Sequence, residues 1–344
     1  MDSLCSAPAK LILSGEHAVV YGCPAISLAV PLFSYCRCRY TPSEIMEIRL
    51  ELKDLDRHVQ FSEAEWFAAI KRIQKAYRAF LRKETAITQV LQKPEDLFLI
   101  ALEYFHTYYP LKTGCWEFEL RSEIPIGRGL GSSASIIASF LKALAEQNSS
   151  QLDQENLLNL TKAIECHQHG HSSGIDPATV VYKGLLHFKE GEIHPIKECQ
   201  IHGWIIDSGA PLSSTGECVA QVAEHFPANS PIWKAFTDVS ERLKKACEQK
   251  NATRLQTAIV ENQTLLERIG VVPSRIGQFI QALNEHSGGV SKICGAGSIK
   301  DGPAGILLHI GPRNPSDFCH THGMKCYPLE NTLALGNHHG KSKP

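Results

Sequence analysis

Neither sign of charge is in excess in this chain, where 35 Lys and Arg stand against 36 Asp and Glu. That balance offers neither the basic groove of a nucleic-acid binder nor the polybasic patch of a membrane-surface protein. Long hydrophobic runs are lacking too. No apolar stretch approaches the ~20 residues that a membrane span needs. Where a signal peptide would carry a basic region and an apolar segment, the amino terminus has only Leu11-Ile12-Leu13, so none is expected. The 12 cysteines are scattered without a CxxC pair. Buried, reduced thiols in a cytoplasmic protein are therefore expected. Low-complexity segments and internal repeats are also missing.

What the chain does have is bulk and pattern. With 344 residues, 43% of them hydrophobic, it can bury a sizeable core and is long enough for two domains. Residues 8–40 alternate short apolar runs with Gly and Pro, as strands and turns do. From Ser62 to about Tyr109 the spacing of Phe67, Ile70, Ile73, Tyr77, Phe80 and Leu81 predicts helix. Residues 115–124 predict a strand, and after a Gly-rich turn Ile137, Phe140, Leu141 and Leu144 mark one face of a helix. A helix from Gln154 to His169 should stop at Gly170, and residues 180–196 fit a hairpin around Glu190-Gly191. The second half offers a strand at 201–208, helix to about Glu285, strands at 290–296 and 304–310, a short helix near 314–322 and a strand near 325–329. That order is ferredoxin-like. The expected domains are 1–198 and 199–344, closely packed around a cleft, with a polar, disordered tail after Leu335.

The strongest local signal is PIGRGLGSSAS at 125–135, between a strand and an amphipathic helix. Gly127, Gly129 and Gly131 let the backbone turn sharply and approach a ligand. Ser132 and Ser133 fall where a helix N-terminus offers free N–H groups, with no acid in the first turn to repel a phosphate. Arg128, Leu130 and Ala134 complete the candidate nucleotide-binding set, and the Ser133 hydroxyl can also serve Mg²⁺. The segment is neither a P-loop, since no Gly-Lys-Ser/Thr follows, nor a GxGxxG fingerprint. The competing reading is a Gly-Ser turn that merely caps a helix.

Five further residues stand out. Lys10 sits in an otherwise apolar strand, either as an exposed edge charge or as a cation held near a phosphoryl group or an acid. Glu16 and His17 follow a Ser-Gly turn and either belong to it or face the cleft. Asp176, in HGHSSGIDPAT at 169–179, fits a helix N-cap with Pro177 at the first helical position. At such a junction it is equally placed to accept a proton from a substrate hydroxyl. Glu165, on the helix that Gly170 ends, is a solvated flank or a metal ligand. A zinc site at His167, His169 and His171, or at Cys319, His320, His322 and Cys326, is disfavoured by spacing and setting.

Taken together, these segments resemble the GHMP kinase superfamily. APAKLILSGEHAVVYGCPAISLAV is similar to its first motif, PIGRGLGSSAS to its phosphate loop, SSGIDPAT to its catalytic-Asp segment, and KICGAG to the start of its third motif. The resemblance implies an α+β fold: an N-terminal α/β domain with a left-handed βαβ crossover, and a ferredoxin-like C-terminal domain. It implies ATP and Mg²⁺, with mevalonate as the acceptor and phosphomevalonate as the rival. By position, Asp176 matches the catalytic base and Lys10 its partner, while Ser133 and Glu165 match Mg²⁺ ligands. Glu16, His17 and Thr215 match the substrate side, with Ser214 as the alternative to Thr215. Gly295, Ala296 and Gly297 match the third motif.

Two departures stand against the pattern. After Gly297 the usual glycine run becomes Ser298-Ile299-Lys300-Asp301-Gly302-Pro303, with Lys300 expected near the nucleotide entrance. Arg128 replaces a small residue, to touch a phosphate or face solvent. A silent ligand sensor on the same scaffold should have lost one of Lys10, Ser133, Glu165 or Asp176, and all are present. Assembly as a homodimer is left open.

Overall fold

The first strands, β1 (Ser3–Ser14) and β2 (Ala25–Pro42), flank the turn that holds Glu16 and His17. Every residue of β1 from Ala7 to Ser14 is buried, which a near-continuous apolar run allows and a half-exposed alternating strand does not. Next come β3 (Glu47–Leu52), β4 (Arg57–Ser62), α1 (Glu63–Leu81), α2 (Asp96–Tyr108) and β5 (Gly114–Ser122). They are followed by α3 (Ser132–Asn148), α4 (Gln154–His169), α5 (Ile175–Tyr182), β6 (Leu185–Lys189) and β7 (Glu192–Ile196). The computed structural model describes residues 2–197 and 199–329, so the tail beyond Leu335 lies outside the described residues.

Among the described residues the N-terminal strands form a seven-stranded sheet, ordered β4-β3-β5-β2-β6-β7, with β1 paired to β2. β3 and β5 run parallel, with α1 and α2 in the connection between them. The helices bury their apolar stripes against this sheet, and Phe140 of α3 packs between Phe98 and Phe118. The helical pattern from Ser62 to Tyr109 is interrupted. Ser62 and Glu65 cap α1 reciprocally, but the helix ends at Leu81 and α2 starts only at Asp96. Lys83, at φ 61°, and Pro94 break the path between them.

The second half contributes β8 (Gly203–Asp207), α6 (Thr215–His225), α7 (Ile232–Glu248), α8 (Ala252–Arg268) and α9 (Ser274–Ser287). It ends with β9 (Val290–Cys294), β10 (Ile306–Ile310), α10 (Ser316–Thr321) and β11 (Lys325–Leu329). Its sheet runs β11-β8-β10-β9 with antiparallel neighbours, the ferredoxin-like order. The architecture is therefore α+β. One apolar cluster bridges the halves: Leu11, Leu13, Ile26 and Leu28 pack with Ile205, Leu243, Leu255 and Ile306. That packing holds the turn after β1 and the loop after β5 against the C-terminal sheet.

Candidate active site

The loop after β5 leads into α3, whose first turn carries no acidic residue. Gly131 is the α3 N-cap at φ 68°. A Cβ there would stand 2.6 Å from Lys10 Cγ and 3.5 Å from Asp176 Oδ2. Only glycine lets these side chains come this close to the amide end of the helix. Leu130 and Ala134 are buried in the core, so they offer the loop only their backbone. The Leu130 carbonyl accepts a hydrogen bond from the Lys10 amide at 2.9 Å. Gly129 lies against the third motif, its hypothetical Cβ 3.4 Å from the Cys294 carbonyl oxygen and 3.7 Å from Gly295 Cα. Ser132 and Ser133 are half-buried, and the Ser133 hydroxyl donates to Gln168 Oε1 of α4 at 2.7 Å.

Lys10 is 3% exposed, which removes the edge-charge reading. Its Nζ lies 3.0 Å from Asp176 Oδ1. Asp176 itself is not the helix cap that the Asp-Pro signal suggests. Gly174, at φ 87°, holds that position, and the Asp176 side chain makes no capping bond. A glycine at positive φ starts α5 earlier, and the carboxylate is left to face Lys10. Glu165 of α4 is 3% exposed, so it is no solvated flank. Burial, then the charge of Asp176, push its carboxyl up to about 8 against the opposing Ser172 hydrogen bond and Lys10 charge. Ser172 Oγ donates to Glu165 Oε2 at 3.0 Å.

A buried carboxyl with one hydroxyl donor, beside a second carboxylate, fits a divalent cation, which would offset their mutual repulsion. The donors are hard oxygens, as Mg²⁺ prefers. Among the described residues no group of three or more His, Cys, Asp or Glu could hold a metal. Mg²⁺ needs no such group, because it keeps waters and phosphate oxygens beside one or two carboxylates.

Glu16 and His17 are turned toward the third motif. The Glu16 side chain is 1% exposed and is ion-paired to Lys292 of β9. His17 Nε2 lies 3.0 Å from the Ala296 carbonyl oxygen, and burial pushes its imidazole pKa down. Gly297 is held below by the Ser298 amide, which donates to the Val271 carbonyl at 3.0 Å. Thr215 is exposed at the first position of α6. Its alternative, Ser214, is occupied as the α6 N-cap in a reciprocal pair with Glu217.

Both departures have charged partners. Arg128 neither faces solvent nor stands free. Its side chain is 23% exposed and Nε lies 3.3 Å from Asp207 Oδ1 at the end of β8, in a charge contact too misaligned for a hydrogen bond. Lys300 Nζ lies 3.5 Å from Glu217 Oε1 in the first turn of α6, and Ile299 N donates to Ser213 Oγ at 3.2 Å. Residues 298–300 therefore dock on the segment that carries Thr215, where Glu217 supplies the countercharge. His167 stacks on Tyr77 with ring centroids 4.1 Å apart, a packing role.

Sequence reasoning gave no role to Lys292 and Ser172, although both lie in segments matched to the family, and it passed over Gln168 and Asp207. Lys292 carried the same signal that singled out Lys10, a lysine within an apolar strand. The others are ordinary polar residues, and only the tertiary contact marks them.

A phosphate cradle at a helix N-terminus, opposite a buried Lys10 paired with a partly exposed Asp176 on this α+β scaffold, defines a small-molecule kinase of the GHMP class. The profile of the GHMP kinases N terminal domain matches residues 96–184. A mevalonate kinase of Archaeoglobus fulgidus is 31% identical over 300 residues, covering 86% of this chain and 89% of that protein. The mevalonate kinase of Pyrococcus horikoshii is 30% identical over 304 residues, covering 86% and 85%. The chain belongs to the mevalonate kinase family. The fold agrees with the crystal structure of the Methanococcus jannaschii mevalonate kinase at a TM-score of 0.77 and 23% identity, covering 96% of this chain and 98% of that one.

Proposed function

We propose that this protein transfers the terminal phosphoryl group of ATP to the 5-hydroxyl of mevalonate, giving 5-phosphomevalonate for isoprenoid synthesis. The observation that carries the reading is the Lys10–Asp176 pair, 3.0 Å apart, set against Gly131 at the start of α3. Asp176 accepts the hydroxyl proton, the hydroxyl oxygen bonds to the γ-phosphorus, and the bond to the bridging oxygen breaks to release ADP. Lys10 offsets the Asp176 charge before transfer and faces the phosphoryl oxygens during it. The amides of Gly129 to Ala134, fixed before the reaction, supply donors that need no reorganisation. Ser133 and Glu165 would hold Mg²⁺, which neutralises phosphate charge when bound. Glu16, His17 and Thr215 hold the acceptor.

The reading is tested by coupled ADP release with MgATP and a panel of acceptors. Turnover with mevalonate, and none with galactose or homoserine, is expected. Preference for phosphomevalonate would move the assignment to the next kinase of the route. No helix among the described residues is long and apolar enough to cross a membrane.

A further inference from the structure

Lys292 is fully buried in β9; it opens the KICGAG segment matched to the third motif, but neither that match nor the reaction above gives it a role. Its ammonium donates to the Glu16 carboxylate and, at 3.4 Å, to the Ile12 carbonyl. The second Glu16 oxygen and His17 Nδ1 are buried without a hydrogen-bond partner among the described residues. The turn carrying both residues already packs closely on β2, where only a residue without a Cβ fits: one on Gly15 would stand 2.6 Å from Ala25 Cα. It is thus gripped from the C-terminal half at two points, Lys292 on Glu16 and the Ala296 carbonyl on His17.

A buried ion pair contributes little to stability that well-packed apolar residues of similar volume would not supply. What it adds is direction, since an unpaired buried charge penalises every other arrangement. We infer that Lys292 is a positioning residue for the acceptor, acting through Glu16 to fix the Glu16-His17 turn against Gly295-Ala296-Gly297. The inference rests on the reading that this turn faces mevalonate. Lys292 thereby ties acceptor binding to the packing of the two halves, whereas Lys10 serves the phosphoryl end.

The test is a kinetic cycle of Lys292→Met, Glu16→Gln and the double variant, with wild type assayed in parallel. Each single substitution should raise KM for mevalonate by ~10-fold or more, while KM for ATP stays within ~2-fold. Because Lys292 acts through Glu16, the double variant should be no worse for mevalonate than Glu16→Gln alone. Multiplying losses in the double variant, or equal rises in both KM values, would overturn the inference in favour of a general packing role. If Lys292→Met does not fold, the comparison of Glu16→Gln with the charge-free double variant decides alone. A wild type inactive on mevalonate would instead sink the proposed function, so the two failures are separable.

Discussion

Gly131→Ala puts the site geometry at risk with a single methyl group. The new Cβ would lie 2.6 Å from Lys10 Cγ and 3.3 Å from Lys10 Cε, against an ordinary carbon–carbon contact of ~3.5–4.0 Å. Lys10 would have to move by ~1 Å. It has little freedom to do so: it is 3% exposed and its amide is bonded to the Leu130 carbonyl. The displacement therefore passes to the ammonium and opens the 3.0 Å pair with Asp176. A ~1 Å misplacement of a reacting group costs ~10²-fold in rate, and that fall in kcat is expected. Alanine at φ 68° adds a backbone cost of ~1–2 kcal/mol, visible as a lowered Tm. Gly127→Ala separates the two effects. It carries a similar φ, 71°, but its Cβ would meet nothing within 4 Å. Both variants should lose similar stability, and Gly131→Ala should be much the slower in the coupled assay. Equal turnover in the two would refute the claim that Gly131 is required by the approach of Lys10.

Three other outcomes follow from the same geometry. Asp176→Asn cannot take the hydroxyl proton, so turnover should fall by ~10²–10⁴-fold while ATP still binds in equilibrium titration; near-normal turnover would remove the base assignment. Glu165→Gln should shift the Mg²⁺ requirement of turnover to much higher concentration in a folded protein, and an unchanged Mg²⁺ titration would count against its place as a ligand. His309 of β10 is fully buried, with Nδ1 2.8 Å from Ser291 Oγ and Nε2 unpaired among the described residues. Burial pushes its imidazole down from 6.5 to about 4, so below pH ~6.5 the unfolded chain binds a proton that the native one refuses. Its contribution is complete above that pH and is lost as pH falls toward about 4. Melting curves of wild type and His309→Gln between these limits should converge with acid; parallel curves would refute this.

The patterning of the chain determined most of the elements, because helix and strand periods and glycine stops act over a few residues. Gly170 ends α4 where the sequence places the stop, and Glu190-Gly191 turns the β6–β7 hairpin. Boundaries moved where a local signal met a competing one: Gly174 displaced Asp176 from the cap, and Lys83 with Pro94 split the first long helix. The types of residue needed for phosphoryl transfer were also legible, since a lysine in an apolar strand or three glycines before a helix are conspicuous in one dimension. Their partners were not. Lys292 and Glu16 are separated by 276 positions, and Ser133 meets Gln168 only because α3 and α4 pack side by side. Local propensity cannot express such distances. They arise when the apolar cluster shared by β1, β2, β8 and α7 closes, and burial then obliges each charge to find its counterpart.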